Sequence, residues 1–118
     1  MVKLPIPLGD GYAAELMFEK ILIANRGAIA IRIARTCERL GIQTVAVCSE
    51  VEQDALHSVT CDEVVCVGPA RVQDSYLNKQ AIIEAAKQSG AQAIHPGYGL
   101  LSENSSFVRE VEAAGLAF

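Results

Sequence analysis

The sequence predicts a doubly wound α/β domain, an open parallel sheet with helices on both faces. Short apolar runs alternate with longer segments whose apolar residues recur every three or four positions, as expected for strands that alternate with helices. The 118 residues are 51% hydrophobic, which suffices for one domain with one modest core. Because only 5% are aromatic and Trp is absent, we expect Ile, Val, Leu and Ala to form that core.

Four apolar runs are predicted as strands and three amphipathic segments as helices. In chain order they are strand 20–24, helix 28–40, strand 43–48, strand 63–67, helix 78–89, strand 92–95 and helix 105–114. The apolar residues of the first helix are spaced to form one buried stripe, which comprises Ile29, Ile33, Cys37 and Leu40. Asn78 is placed to cap the second helix, and Ser102 or Asn104 to cap the third. Since strand–helix–strand units favour parallel pairing, this order predicts a parallel sheet.

The two ends of the sequence depart from this alternation. Residues 1–16 contain two prolines and two glycines and show no periodicity, so we predict a flexible leader or an added extension there. Met17 lies shortly before the first strand and can be the natural start, which gives a domain at 17–118. The last residues, Leu116–Phe118, have the character of another strand, so we expect this domain to be truncated at its C-terminal end.

Composition and charge argue against several classes of function. The net charge of −4 and the pI of about 5.1 do not suit nucleic-acid binding, which needs a basic surface. No apolar run approaches the ~20 residues of a membrane span, and residues 1–17 have the pattern of neither a secretion signal nor a transit peptide. The four cysteines lack the spacing of a zinc site, so we expect buried, reduced thiols in a cytoplasmic protein.

The first candidate site follows the first strand. Asn25, Arg26 and Gly27 lie where an open α/β sheet binds ligands and where a helix N-terminus attracts anions. Glu50, just after the second strand, could accept hydrogen bonds from a ribose, as in dinucleotide-binding domains. The dinucleotide fingerprint needs three glycines, however, and this segment has only Gly27. The alternative is a tight strand–helix turn in which Arg26 makes structural hydrogen bonds.

The second candidate site is the glycine-rich segment 95–104, which follows the fourth strand at the same edge of the sheet. Gly97 and Gly99 allow positive φ angles and let a ligand approach the main chain. We expect Tyr98, between them, to project from a strained or mobile turn, and Glu103 adds a carboxylate to this segment. The alternative is an ordinary glycine-rich connection in which His95 is a hydrogen-bonded structural residue.

The third candidate is a stripe of arginines on the first helix. Arg32, Arg35 and Arg39 are spaced by three and four residues and therefore share one face. They form either a solvated surface or a protein interface. The sequence contains no P-loop, nucleophile elbow or zinc motif, so we expect no catalytic residue and no metal site in this chain.

Several segments in register together resemble the opening of biotin carboxylases. They occur in order, with no obvious gap, across residues 17–118. They are Phe18–Gly27, Ala30–Ile33, Thr44–Val47, Asp54–His57, Asp62–Glu63, Val67–Pro69, Ser75–Asn78 and His95–Asn104. The family includes the biotin carboxylase parts of acetyl-CoA, propionyl-CoA, methylcrotonyl-CoA, pyruvate and urea carboxylases. Its members use MgATP and bicarbonate to carboxylate biotin that is held on a carrier protein.

The resemblance implies a Rossmann-like N-terminal domain that precedes an ATP-grasp domain and a C-terminal domain. The family's ligands for ATP, Mg²⁺ and bicarbonate lie mainly downstream of Phe118, so we expect this chain alone to bind no cofactor tightly and to be inactive. Its implied partners are those two domains, a biotin carboxyl carrier domain and a carboxyltransferase. A stand-alone nucleotide-binding module and a non-catalytic interaction fragment are the alternatives.

The resemblance also implies a biotin contact in the second candidate site. Tyr98, Gly99 and Leu100 match family positions near the biotin ring. Leu100 replaces a usual Phe, which predicts a looser contact with the ring. Ala28 replaces a usual Glu after the Asn-Arg-Gly turn, a change to which we assign no consequence.

The arginine stripe bears on assembly. In bacterial biotin carboxylases the position that matches Arg35 lies at the dimer contact, and the position that matches Arg39 is usually acidic. A symmetric interface would bring like charges together here, which disfavours pairing. The resemblance therefore predicts that the bacterial type of dimer does not form unless another acidic group, such as Glu38, is recruited.

Overall fold

The computed structural model describes residues 18–118, so the leader predicted at 1–16, together with Met17, lies outside the described residues. All four predicted strands and all three predicted helices are present, with ends that differ from the predicted ends by one residue at most. The elements are β1 (Lys20–Ile23), α1 (Gly27–Arg39), β2 (Gln43–Ser49), α2 (Leu56–Thr60), β3 (Glu63–Gly68), α3 (Lys79–Ser89), β4 (Ala93–His95) and α4 (Ser105–Ala113).

The four strands form one parallel sheet in the order β3-β2-β1-β4. The sheet is open and parallel as predicted, and its strand order is that of the first four strands in a doubly wound Rossmann sheet. The central strand β1 pairs with β2 on one side and with β4 on the other, with Ile23 opposite Ala46 and His95. Ala117 forms a parallel bridge to Ala93, which agrees with the strand character predicted for the last residues.

Helices cover both faces of the sheet. On one face, α3 and α4 pack against the strands in a cluster that includes Leu22, Val45, Ile82, Ile94 and Phe107. On the other face, α1 packs through small side chains in two further clusters. Asn78 and Asn104 cap α3 and α4 by accepting hydrogen bonds from the backbone N–H groups of Ala81 and Phe107. Of the two caps considered for the last helix, it is therefore Asn104, not Ser102.

The stripe predicted for α1 was right at Cys37 and wrong at its other three positions. Its fully buried residues are Ala30, Ala34 and Cys37, whereas Leu40 is exposed. Small residues face the sheet because α1 lies close against it, and the neighbouring isoleucines then fill only the flanks of the helix. The short helix α2 was not predicted, since five residues give too little periodicity to recognise.

Two expectations about the core also need correction. The largest fully buried side chains are Tyr76 and Phe107, so the few aromatic residues are central to the core. All four cysteines are free thiols, but only Cys37 and Cys48 are buried, while Cys66 is exposed at the edge strand β3. Within residues 18–118, no helix has the length and apolar character that crossing a membrane requires.

Candidate functional site

The first two candidate segments meet at the carboxyl edge of the sheet. Because β1 and β4 are parallel neighbours, the residues that follow Ile23 and His95 leave the sheet side by side. The backbone N–H of Ala24 donates to the carbonyl of His95 over 2.9 Å. The 95–104 segment, called here the glycine loop, therefore begins directly beside Asn25.

Asn25 fastens the glycine loop to the sheet. Its side chain is 4% exposed, and its Nδ2 donates to the carbonyl oxygens of Pro96 and Tyr98, each at 2.8 Å. Its Oδ1 accepts from the backbone N–H of Arg26, also at 2.8 Å. One buried amide thus satisfies two loop carbonyls and one helix N-terminal N–H group, which fixes the path of the loop.

The glycine loop has the backbone conformation that its glycines suggested. Gly97 and Gly99 have φ angles of +66° and +68°, and Leu100 follows with φ +46°, a left-handed conformation that is costly for a residue with a side chain. A Cβ atom at Gly97 would lie 2.8 Å from Asn25 Nδ2, whereas a Cβ atom at Gly99 would meet nothing within 4 Å. Gly97 therefore allows the close approach of Asn25, and Gly99 leaves an open stretch of main chain.

Tyr98 projects from this loop as predicted, and its side chain is 71% exposed. Leu100 instead turns inward and packs against the main core, next to the buried Leu101. The loop closes with a bond from the Ser102 N–H to the Gly99 carbonyl, and Glu103 lies exposed before α4. The segment therefore presents an aromatic ring and an open glycine backbone on a base that is anchored on both sides.

His95 has a structural role at the start of the loop. Its Nδ1 accepts from the backbone N–H of Gly97 at 3.0 Å. Partial burial lowers the pKa of His95, which favours the neutral ring that can accept this bond. This arrangement agrees with the alternative in which His95 is a hydrogen-bonded structural residue.

Arg26 points away from the glycine loop, toward β2. Its guanidinium makes a two-pronged pair with Glu52, with Nε donating to Oε1 at 2.9 Å and Nη2 donating to Oε2. It also lies 5.7 Å from the centre of the Tyr76 ring, within cation–π range. Bonding to Arg26 lowers the pKa of Glu52 to about 2, and bonding to Glu52 raises the pKa of Arg26.

Tyr76 completes this second cluster, called here the Arg26 cluster. Its hydroxyl donates to Glu52 Oε1 at 2.7 Å and accepts from the backbone N–H of Ser49 at 3.3 Å. Burial, and then the bond to Glu52, raise the pKa of Tyr76. His57 lies behind the hydroxyl, 3.4 Å from it, and its Nε2 is 3.0 Å from the Val47 carbonyl. The cluster joins three segments of the chain in one polar network.

The contacts of Arg26 bear on the alternative that the first candidate site binds a dinucleotide. Arg26 and the Asn25 side chain are engaged in internal hydrogen bonds, as in the tight-turn interpretation, and Glu50 is an exposed residue of a short 3₁₀ turn. The acidic residue that binds Arg26 is Glu52, which was not among the predicted site residues. The signal in the sequence was an acidic residue soon after β2 together with an arginine soon after the neighbouring β1, and Glu50 satisfies the same pattern.

The three arginines of α1 do share one face, as predicted. Arg32, Arg35 and Arg39 are exposed and line a groove of about 490 Å³ together with Leu56 of α2. Arg39 Nη2 donates to Thr36 Oγ1 at 3.2 Å. This groove shares no lining residue with the glycine loop, so the third candidate site is separate from the first two.

The described residues contain no group of three His, Cys, Asp or Glu side chains that could hold a metal ion. A Rossmann-like sheet whose carboxyl edge carries an anchored glycine loop defines a class of ligand-binding α/β domain. The model of the biotin carboxylase N-terminal domain matches residues 17–118. The chain belongs to this family.

Relatives of known function support the assignment. The chain is 56% identical over 102 residues to biotin carboxylase of Haemophilus influenzae, which covers 86% of this chain and 23% of that protein. It is 54% identical over 104 residues to the mitochondrial propionyl-CoA carboxylase alpha chain of Rattus norvegicus, which covers 88% of this chain and 14% of that protein. The chain thus spans less than a quarter of the length of either relative.

Solved structures agree with the fold. The biotin carboxylase domain of thermophilic 2-oxoglutarate carboxylase, solved with bicarbonate, has a TM-score of 0.80 and 49% identity over 85% of this chain and 22% of that one. Pyruvate carboxylase from Rhizobium etli has a TM-score of 0.80 and 46% identity over 86% of this chain and 10% of that one. Both structures align with nearly all of the described residues.

Proposed function

We propose that this chain serves as the N-terminal domain of an ATP-dependent biotin carboxylase, a ligase that carboxylates carrier-bound biotin with bicarbonate. Its partners in this proposal are an ATP-grasp domain, a C-terminal domain, a biotin carboxyl carrier domain and a carboxyltransferase. ATP with Mg²⁺ would supply the phosphoryl transfer that activates bicarbonate. The family resemblance implies that the ligands for the nucleotide and Mg²⁺ lie mainly downstream of Phe118, so we assign both to those other parts.

The glycine loop carries the proposal. Tyr98, Gly99 and Leu100 occupy the positions implied to lie near the biotin ring, and the loop offers what a flat bicyclic ligand needs. Tyr98 exposes most of its ring, and the main chain at Gly99 is unobstructed. Asn25 holds both features in place through the carbonyls of Pro96 and Tyr98. In this proposal Tyr98 contacts biotin, and Asn25 is a positioning residue.

The inward direction of Leu100 refines the expectation of a loose ring contact. Its side chain packs partly into the core, where it supports the loop from below. A phenylalanine at this position would fill more of that space or extend toward the ligand. We therefore propose that Leu100 shapes the loop and that Gly99 provides the nearer contact to the biotin ring.

A chimera tests the proposal. Residues 17–118 would replace the matching segment of the Haemophilus influenzae biotin carboxylase, which supplies the remainder of the enzyme. We expect the chimera to carboxylate free biotin. In it, Tyr98→Ala should raise the KM for biotin by about tenfold, the effect of losing a contact of roughly 1.4 kcal/mol. The KM for ATP should stay unchanged.

A matched control distinguishes the loss of a biotin contact from the loss of any exposed apolar side chain. Val51 is 72% exposed and is an apolar side chain on the 3₁₀ turn after β2. Val51→Ala in the chimera should leave both KM values unchanged. An inactive but folded chimera would contradict the proposed function, and equal effects of the two substitutions would contradict the role of Tyr98.

The isolated chain should not turn over ATP. Purified 1–118 is expected to show no bicarbonate-dependent release of phosphate above a buffer control. Turnover above that control would place catalytic groups within this chain and contradict the division of labour proposed above.

The four free thiols support a reducing location, and we propose the cytoplasm.

We also propose that the arginine groove does not support a symmetric dimer of the bacterial type. Arg35 and Arg39 would face their own copies across a two-fold axis, and like charges oppose association. Sedimentation of 1–118 at moderate salt should therefore report a monomer. A dimer that Arg35→Glu dissociates would contradict this, whereas a dimer unaffected by it would use another surface.

A further inference from the structure

Two cysteines occupy paired positions on neighbouring strands at one edge of the sheet. Cys48 on β2 and Cys66 on β3 are partners in the parallel register. Paired residues on neighbouring strands project from the same face, so these two thiols lie side by side. Neither belongs to the glycine loop, the Arg26 cluster or the arginine groove.

The surroundings of the two thiols differ. Cys48 is fully buried, whereas Cys66 is exposed on the outer strand. Burial, and next the neighbouring Cys66, raise the pKa of Cys48, so its thiol is held in the protonated form beside Cys66. The Cys66 sulfur lies 3.7 Å from the carbonyl oxygen of Gly68 on its own strand. The Cys66 side chain is therefore accessible to solvent, whereas the neighbouring Cys48 side chain is not.

The register places these cysteines within reach of a covalent bond. Neighbouring strands lie about 4.8 Å apart. Disulfide-linked residues have Cα atoms roughly 4.4–6.8 Å apart, so the strand spacing falls inside the permitted range. A bond between strands β2 and β3 would need rotation of the side chains and little movement of the backbone.

We propose that Cys48 and Cys66 form a reversible thiol–disulfide exchange site for a small disulfide such as glutathione disulfide. The Cys66 thiolate attacks one sulfur of glutathione disulfide, which forms a mixed disulfide and releases one glutathione. The Cys48 thiol then gives its proton to water, and the resulting thiolate attacks the Cys66 sulfur from the buried side. The bond between Cys66 and glutathione breaks, and the second glutathione leaves toward solvent as a thiolate that takes up a proton there. Two cysteine thiols are oxidised to one disulfide, and one glutathione disulfide is reduced to two glutathiones.

The segment enclosed by this bond links the site to the rest of the sheet edge. Residues 49–65 contain Glu52, which binds Arg26, and His57, which lies behind Tyr76. The disulfide would tie both ends of this segment together at the strands that carry it. Oxidation therefore modifies the side of the sheet that holds the Arg26 cluster and leaves β4 and the glycine loop untouched.

Peptide mapping of the native chain tests the proposal. Reduced 1–118 would be freed of reductant, incubated with glutathione disulfide, blocked with N-ethylmaleimide and digested without reduction. Trypsin would leave Cys48, Cys61 and Cys66 together on peptide 40–71. Cleavage after glutamate separates all four cysteines onto peptides 20–38, 39–50, 53–63 and 64–84.

We expect a cross-link between peptides 39–50 and 64–84 that exceeds any other by about tenfold, since the register favours this pair. Dithiothreitol should release it. Cys66→Ser should abolish it, and the matched variant Cys61→Ser should leave it intact. In urea the preference should vanish, because the unfolded chain favours the shorter loop between Cys61 and Cys66.

Two results would overturn the proposal. One is glutathione retained on Cys66 without the cross-link, which would show that Cys48 cannot reach it. The other is a dominant link between peptides 20–38 and 53–63. That link would identify Cys37 and Cys61 as the reactive pair; the pKa of Cys37 is raised by burial and then by Cys61.

Discussion

Asn25 and Arg26 are adjacent in the sequence, yet they reach in opposite directions and have different environments. Asn25 turns toward β4 and holds the glycine loop, whose most prominent side chain, Tyr98, is exposed. Arg26 turns toward β2 and enters a cluster whose aromatic member, Tyr76, is fully buried. Because β1 is central in the sheet, two consecutive residues at its end can serve the loops of both neighbouring strands.

The contrast separates two uses of polar side chains at one sheet edge. In the glycine loop, hydrogen bonds from a buried amide shape a main chain that remains open to a ligand. In the Arg26 cluster, charged and aromatic groups satisfy one another and fasten β2 to the remainder of the domain. We therefore expect substitutions in the cluster to change stability first, and substitutions in the glycine loop to change ligand binding first.

The two tyrosines should show the largest difference. Tyr76→Ala removes a fully buried ring and should lower the free energy of unfolding by about 3–5 kcal/mol. Tyr98→Ala removes an exposed ring and should change the free energy of unfolding by at most about 0.5 kcal/mol. Urea denaturation of the two variants of 1–118 measures both values. Similar losses would remove the distinction between the two regions.

The two glycines of the loop form a matched pair. Both have positive φ angles, so Gly99→Ala should cost about 1–2 kcal/mol from backbone conformation alone. Gly97→Ala should cost about 1 kcal/mol more, because the added Cβ displaces the Asn25 amide from its buried bonds. The same denaturation experiment applies, and equal losses would show that Asn25 adapts freely.

The Arg26 cluster predicts an acid-dependent loss of stability. The pKa of Glu52 is about 2 in the folded chain, below its usual 4.5, so folding favours the ionised form. The stabilisation is fully present above about pH 4.5 and declines as the pH falls toward 2. Arg26 is 46% exposed in its side chain, so solvent screening limits the contribution to about 1 kcal/mol.

Glu52→Gln supplies the comparison for this pH dependence. The variant should be less stable than the native sequence at about pH 7, and the gap should narrow steadily in acid. Urea denaturation across this pH range measures the gap. A gap that stays constant with pH would mean that the charge of Glu52 contributes nothing to folding.

The smallest effect is expected from residues 1–16, which precede both regions. Their sequence has no helical or strand periodicity. The free energies of unfolding of 17–118 and 1–118 should therefore differ by less than about 1 kcal/mol. Equilibrium unfolding of the two chains provides the test. A larger loss would show that the leader packs on the domain and would add a third region to the comparison.

Much of this arrangement followed from local sequence patterns. The alternation of apolar runs predicted the parallel sheet, Asn78 and Asn104 served as helix caps, and the glycines around Tyr98 predicted a projecting turn. The strand and helix segments, the caps and the turn each depend on residues that are close in the sequence, where backbone geometry and period decide the outcome. The family resemblance then supplied the expectation of a biotin contact at Tyr98.

The tertiary structure decided which distant residues meet. Asn25 binds the carbonyl of Pro96, 71 positions away, and Arg26 binds Glu52, 26 positions away. These contacts follow from strand order and register, which place the ends of separate strands together and which no local period encodes. Helix packing likewise chose Ala30 and Ala34 over the larger isoleucines beside them, because the distance between helix and sheet selects side-chain size only after both have formed.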